Sequence, residues 1–252
     1  MNRCFGYLIL AFLLVGCSAR ITIATPTAVH VYLDRDARAW QVYTEGNPTY
    51  TLKDVAKPSL DGEALQCSIA GGKPYSSVQC YRNLAAQSGA NVFVFGLSFQ
   101  FTPQTTYNNQ GGESIVQAIE FSTTKWHQGK RYRLALQWEN VGETGESAPQ
   151  WRYWNPQSSA GKPWVRLPGN INPRLEAGQW HTLKLEGRIV DDEIYYQSFT
   201  LDDQTYPMNI TTLPDPALGA TDRLAVSIQL DGNSQQSPYD VFVDQVYLAM
   251  HP

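Results

Sequence analysis

The ten residues from Val92 to Phe101, VFVFGLSFQF, put Phe93, Phe95, Leu97, Phe99 and Phe101 at every second position. Side chains of an extended strand alternate between its two faces, so all five fall on one side. A strand with that much aromatic surface on one face belongs between two layers, and it is read as a core strand of a sandwich. Further runs of strand character lie at Val29 to Leu33, Ala64 to Ile69, Val78 to Arg82, Ser114 to Ser122, Tyr132 to Glu139 and Trp151 to Trp154. Others follow at Trp180 to Ile189, Ile194 to Leu201, Arg223 to Leu230 and Val241 to Leu248. Gly, Pro and Asn interrupt nearly every window of a dozen residues, which removes helical periodicity. No internal repeat, low-complexity tract or second boundary appears, so residues 29–252 are read as a single all-β sandwich domain.

Three of these strands share a further pattern. Ala118 precedes Glu120, Ala135 precedes Gln137 and Ser227 precedes Gln229, each pair two positions apart and hence on one face. Their opposite faces are apolar, carrying Ile119 and Phe121, Leu134, Leu136 and Trp138, and Leu224, Val226, Ile228 and Leu230. Small residues make a floor, and amides and carboxylates upon it suit hydroxyl-rich ligands. By contrast Thr182, Lys184, Glu186 and Arg188 alternate with Leu183, Leu185, Gly187 and Ile189, so that strand is expected to show water a charged face away from the groove.

The start of the chain reads as an export signal over residues 1–16: Arg3 is the positive flank, an apolar run extends from Tyr7 to Val15, and Leu14-Val15-Gly16-Cys17 forms a lipobox. The apolar run is shorter than the ~20 residues a membrane span needs. Cys17 is then the lipidated first residue of a bacterial lipoprotein, and residues 17–28 a short polar tether. The competing reading is a plain secretory signal. Cys4 is lost in both cases, leaving Cys67 and Cys80, which are expected to pair across a hairpin. An exported chain tolerates such a bridge, and closing a loop of ~15 residues contributes about 3 kcal/mol in the chain-entropy view. The formal charge is -4 and only 17% of residues are charged, with no basic run, which excludes a nucleic-acid surface.

Three segments carry a resemblance: Gly178-Gln179-Trp180-His181, the string YYQSFTLDDQTYPMNI from Tyr195 to Ile210, and PYDVFVDQVYL from Pro238 to Leu248. Together they resemble the concanavalin A-like lectin and glucanase jelly rolls over most of the chain. The Gly-x-Trp-His segment is similar to laminin G-type domains and the closing strand to carbohydrate-binding modules. VQAIEFS, WRYWNP and VSIQLDGN look nearest to a bacterial lipoprotein group within that superfamily. The resemblance implies two antiparallel sheets, a concave face that often receives glycans, and in some members a structural calcium. Alternation sets Asp244 of the closing strand on one face with Phe242, Val246 and Leu248, where an acid needs a partner. For calcium the resemblance points to Asp244, with Asp61 as a further oxygen ligand; the alternative is a buried hydrogen bond from backbone amides to Asp244. It does not imply one chemistry, because binding modules, hydrolases and lyases share the fold.

Glu120 is the residue through which a hydrolase reading would run, as a desolvated general acid; the other readings of it are a ligand-binding carboxylate and a structural hydrogen-bond or salt-bridge partner. Laminarinase-type enzymes of this fold carry acids at alternate positions in a Glu-x-Asp-x-x-Glu pattern, whereas here Val116 and Ala118 share the face of Glu120. A lyase would need a base such as His127 beside neutralisers such as Gln137, Arg152 or Gln229. Alternation also places Arg152 and Trp154 on one face and Trp151 and Tyr153 on the other; tryptophan stacks on the apolar faces of sugar rings, though such residues also serve as core packing. The first reading is therefore a surface-anchored, non-catalytic module that binds extracellular carbohydrate through Glu120, Gln137, Arg152, Trp154 and Gln229, attached to the membrane through its lipid alone. The alternatives are a polysaccharide-degrading enzyme using Glu120 and a structural envelope lipoprotein.

Overall fold

Strand β6 (Val92–Thr102) runs through the middle of one sheet and turns Phe93, Phe95, Leu97, Phe99 and Phe101, all nearly inaccessible, towards a second. The computed structural model describes residues 29–33, 36–87, 89–102, 116–140, 149–158, 161–169 and 171–252. The export signal, Cys17, the tether and the expected strand start at Ser114 lie outside these residues.

The first sheet runs in the order β13 (Gln204–Thr212), β12 (Glu193–Leu201), β11 (His181–Val190), β6, β16 (Tyr239–His251), β4 (Ala64–Ala70) and β3 (Thr49–Val55), with β1 (Val29–Tyr32) also against β16. The second runs β10 (Trp164–Arg166), β9 (Gln150–Trp154), β8 (Lys130–Glu139), β7 (Val116–His127), β15 (Arg223–Gly232), β5 (Ser77–Leu84) and β2 (Gln41–Glu45), with β14 (Asp215–Pro216) on β8. The pairings that define both sheets are antiparallel. Aromatic contacts close the space between them: Phe99 meets Phe121 with ring centroids 4.6 Å apart, and Phe101 meets Trp138 at 5.3 Å. Period-two patterning thus gives the sandwich its core, and the β11 face alternates as expected, with Leu183 and Leu185 buried and Thr182 and Arg188 exposed.

Three particulars depart from the sequence reading. Cys67 and Cys80 are bonded, with Cα atoms 6.5 Å apart, but β4 and β5 belong to different sheets; the bridge fastens one layer to the other and does not span a hairpin. Asp244 was expected on a face with Phe242, Val246 and Leu248. The ladder between β16 and β6 instead shifts register between Asp244 and Tyr247, where Gln245 takes a left-handed φ of 53°, so Val243 and Val246 both enter the core. Asp244 is fully buried and accepts hydrogen bonds from the Ser59 hydroxyl (3.1 Å), the Leu60 N–H (2.7 Å) and the Gln245 N–H (2.8 Å). A hard cation takes six to eight oxygens. A carboxylate already held by three donors fits a hydrogen-bonded turn and not a calcium cradle; Asp61 is an exposed loop residue that accepts from Glu63 N–H at 3.4 Å, and no cluster of three or more His, Cys, Asp or Glu suited to a metal occurs among the described residues. Strands β2, β3, β10 and β13, which patterning does not reveal, lie at or next to sheet edges; β13 tolerates Pro207 because an edge strand can leave one N–H position unpaired.

Candidate ligand groove on the second sheet

On the outer face of the second sheet the registers bring Tyr43, Gln79, Gln229, Glu120, Gln137 and Arg152 into one row across six strands. The three strands picked out by their small-then-polar pattern are therefore immediate neighbours, β15 beside β7 beside β8. The next row holds the floor: Ser227 opposite Ser122, and Ser122 opposite Ala135, with the two serine hydroxyls 2.7 Å apart. Above this floor lies a hollow of about 600 Å³, bounded on one side by Tyr43, Tyr81 and Asn83 and on the other by Trp126, Trp154 and Trp164.

The row divides into a sealed half and an open half. Gln137 is 2% exposed, Arg152 8% and Glu139 1%, and they satisfy one another. Arg152 Nη2 lies 2.9 Å from Glu139 Oε1, its Nε donates to Gln137 Oε1 at 3.0 Å, and Gln150 donates to the other oxygen of Glu139. Gln137 Nε2 in turn donates to Asp231 Oδ2 at 3.1 Å, and Gln229 Nε2 to Asp231 Oδ1 at 2.9 Å. Burial and the nearby charge of Glu120 push the Asp231 carboxyl up to about 7, against the pull of the Gln229 hydrogen bond. Of the five residues proposed from sequence to hold a ligand, Gln137 and Arg152 thus support the floor from this network, while Gln229, Trp154 and Glu120 line the hollow.

Glu120 is 1% exposed and its Oε1 is ion-paired with Arg133. Its Oε2 has no hydrogen-bond partner among the described residues. Arg133, absent from the sequence reading, lies over Trp154 with its guanidinium carbon 4.3 Å from the ring centroid, and Trp154 meets Trp164 edge-on at 5.2 Å. Trp154 is a built wall: one face carries Arg133 and its indole N–H donates to Asp215 at 3.3 Å. The wall is positioned from the core, where the Tyr196 hydroxyl lies 3.1 Å and 3.0 Å from the carbonyls of Arg133 and Trp154 and accepts the Ala135 N–H at 3.2 Å. A second stack, Arg223 on Trp126 at 3.9 Å, forms the far rim. His127 is hydrogen-bonded to Asp222 at 2.7 Å and does not line the hollow.

A larger hollow, about 1100 Å³, lies on the outer face of the first sheet beside Tyr32, Tyr247 and Lys184. It has no amide row: Lys184 is 3.3 Å from Glu186, and Asp202 is taken by His181 and the Thr182 N–H. The smaller groove is the chemically equipped one.

The sequence matches no family model and none of the curated proteins. Among solved structures, lectin I of Ulex europaeus in complex with the methyl glycoside of α-L-fucose matches with a TM-score of 0.53 at 9% identity, over 88% of this chain and 97% of the lectin. This is the concanavalin A-like jelly-roll fold. Two further likenesses are looser: a carbohydrate esterase from Shiga toxin-encoding bacteriophage phi24B (TM-score 0.47, 14% identity, 86% of this chain and 93% of that one) and the family 11 carbohydrate-binding module of Clostridium thermocellum (0.41, 11%, 87% and 94%). At 9% identity what this jelly roll shares with that lectin is its architecture.

Proposed function

We propose that this jelly roll is a non-catalytic carbohydrate-binding module, carried to the cell envelope by residues 1–16 and anchored through lipid on Cys17. The observation that carries the reading is the row from Tyr43 to Glu120, which opens over a floor of Ser122, Ser227, Ala225 and Thr124 into a hollow walled by aromatic rings. Such a surface offers what a sugar needs, amides and hydroxyls for its hydroxyl groups and ring faces or edges for its C–H surfaces. A non-catalytic role is supported by the state of the acids: Glu120 is ion-paired, its cross-strand neighbours are Gln229 and Gln137, and Glu139 and Asp231 in the next row are each engaged by at least two hydrogen-bonding groups.

Affinity electrophoresis of the whole protein through gels containing a panel of polysaccharides tests this. Ala225 and Ser227 lie on the outward face of a central strand, so Ala225→Trp fills the groove from its floor without entering the core. The parent is expected to be retarded by at least one polymer and the variant to migrate freely, with equal unfolding midpoints. No retardation of the parent by any polymer, or equal retardation of both proteins, rejects the proposal.

A further inference from the structure

Resting on the carbohydrate reading, we infer that the ligand is an acidic polysaccharide whose anionic group is received by Arg223 and whose hydroxyls reach Glu120. The inference comes from which charges in the groove are already spent. Three guanidinium groups line it, Arg131, Arg133 and Arg223, against two acids, Glu45 and Glu120. Arg131 is tied to Asp215 at 2.8 Å and Arg133 to Glu120. Arg223 has no carboxylate partner among the described residues; Asp222 beside it is occupied by His127 at 2.7 Å and the Gln128 N–H at 3.1 Å. The hydrogen bond Arg223 does make is a long one, Nη1 to the Thr221 carbonyl at 3.4 Å.

Its guanidinium carbon lies 3.9 Å from the Trp126 ring centroid, which sets the group against the ring at the groove rim with most of its five N–H donors unused among the described residues. A planar fork fixed in that way matches a carboxylate or sulfate, and little ordering entropy remains to be lost on binding. At the other end, Glu120 presents the opposite requirement. Its Oε2 is buried and has no hydrogen-bond partner among the described residues, and Glu120 is one of the residues lining the same hollow, so this end favours a donor and repels an anion. Glu120 and Trp126 stand six residues apart on β7, about 20 Å along an extended strand, further than one sugar ring can bridge. The ligand that satisfies both ends has several rings, with a hydroxyl donor at one position and an anion at another.

The test uses pairs of polymers that differ only in charge: polygalacturonate, alginate and hyaluronan, each beside its carboxyl-reduced form, with a sulfated galactan as a further arm. Binding is measured by calorimetry at low and at moderate salt. At least one anionic polymer is expected to bind about tenfold more tightly than its uncharged counterpart, a preference that shrinks with salt. Arg223→Gln should bring the charged polymer to within about twofold of its uncharged counterpart, and Arg223→Lys should restore only part of the preference. Tighter binding of the sulfated galactan than of the uronate polymers assigns the anion to sulfate. Equal binding of charged and uncharged forms, or a preference that survives Arg223→Gln, overturns the inference and leaves carbohydrate binding intact. Binding to none of the polymers, charged or neutral, overturns both.

Discussion

The two halves of the polar outward face of the second sheet have different fates. On the β8 and β9 side, Gln137, Arg152, Glu139 and Gln150 are buried and spend their donors and acceptors on one another. On the β15 and β5 side, Gln229, Gln79 and Asn83 are partly or fully exposed above small residues. Residue type does not distinguish them, since Gln137 and Gln150 on one side and Gln229 and Gln79 on the other are amides of the same outward face. What separates them is burial: Gln79, Gln229 and Asn83 each donate a hydrogen bond to a neighbour yet border the hollow, whereas the β8 and β9 side is closed to it. A buried polar group must be paired inside the fold, and one facing a solvent-filled hollow keeps its capacity for a ligand. The sealed half should therefore govern stability and the open half binding.

Arg152→Ala strikes hardest at that division. It leaves the buried Glu139 carboxylate without its cation and should lower unfolding stability by about 3–5 kcal/mol in urea titrations. Next comes the hinge between the halves, Asp231. Its carboxyl is raised to about 7 in the folded chain and stands near 3.8 when free, so the folded state holds a proton that the unfolded state lacks between those values. Stability consequently falls as pH rises from about 4 to 7 and stays lowered above that. Asp231→Asn can still accept from Gln137 and, if Gln229 turns its amide over, donate to it. The variant should lose this slope, gaining about 2 kcal/mol on the parent between pH 5 and pH 8, measured as the difference between the two proteins so that other groups cancel. In the open half, Ala225→Trp should cost at least tenfold in glycan affinity with unfolding stability unchanged to within about 1 kcal/mol. The smallest effect belongs to Gln79→Ala, whose amide donates to Ser227 at 3.1 Å: about threefold in affinity and under about 0.5 kcal/mol in stability. A large stability loss from either open-half variant would erase the distinction.

Much of the sandwich was legible because period two is a local property. Val92 to Phe101 declares its buried face, and Glu120, Gln137 and Gln229 declare theirs. The same parity also reaches the groove residues that went unremarked. Arg131 and Arg133 lie on the face of Ala135 and Gln137, and Thr124 and Trp126 on that of Glu120. The missing signal was register, since only long-range pairing determines that Arg133 folds back onto Glu120 while Arg152 pairs with Glu139. Alternation also fails where the chain inserts a residue, which is why the side chains around Asp244 were assigned to the wrong faces. Two strands joined by a few residues read as a hairpin, and nothing local in Cys67 to Cys80 tells that the chain changes layers between them.

The interleaving of strands sets the order in which the molecule can assemble. β15 lies between β7 and β5, and β16 between β6 and β4, so the last two long strands in sequence occupy the interiors of both layers. Until residues 223–251 are available, the first layer is three disconnected pieces, β1 among them, and the second is two, all with unpaired edges. A growing polypeptide cannot complete either layer early, and the final thirty or so residues act as a zip drawn once through each half of the molecule.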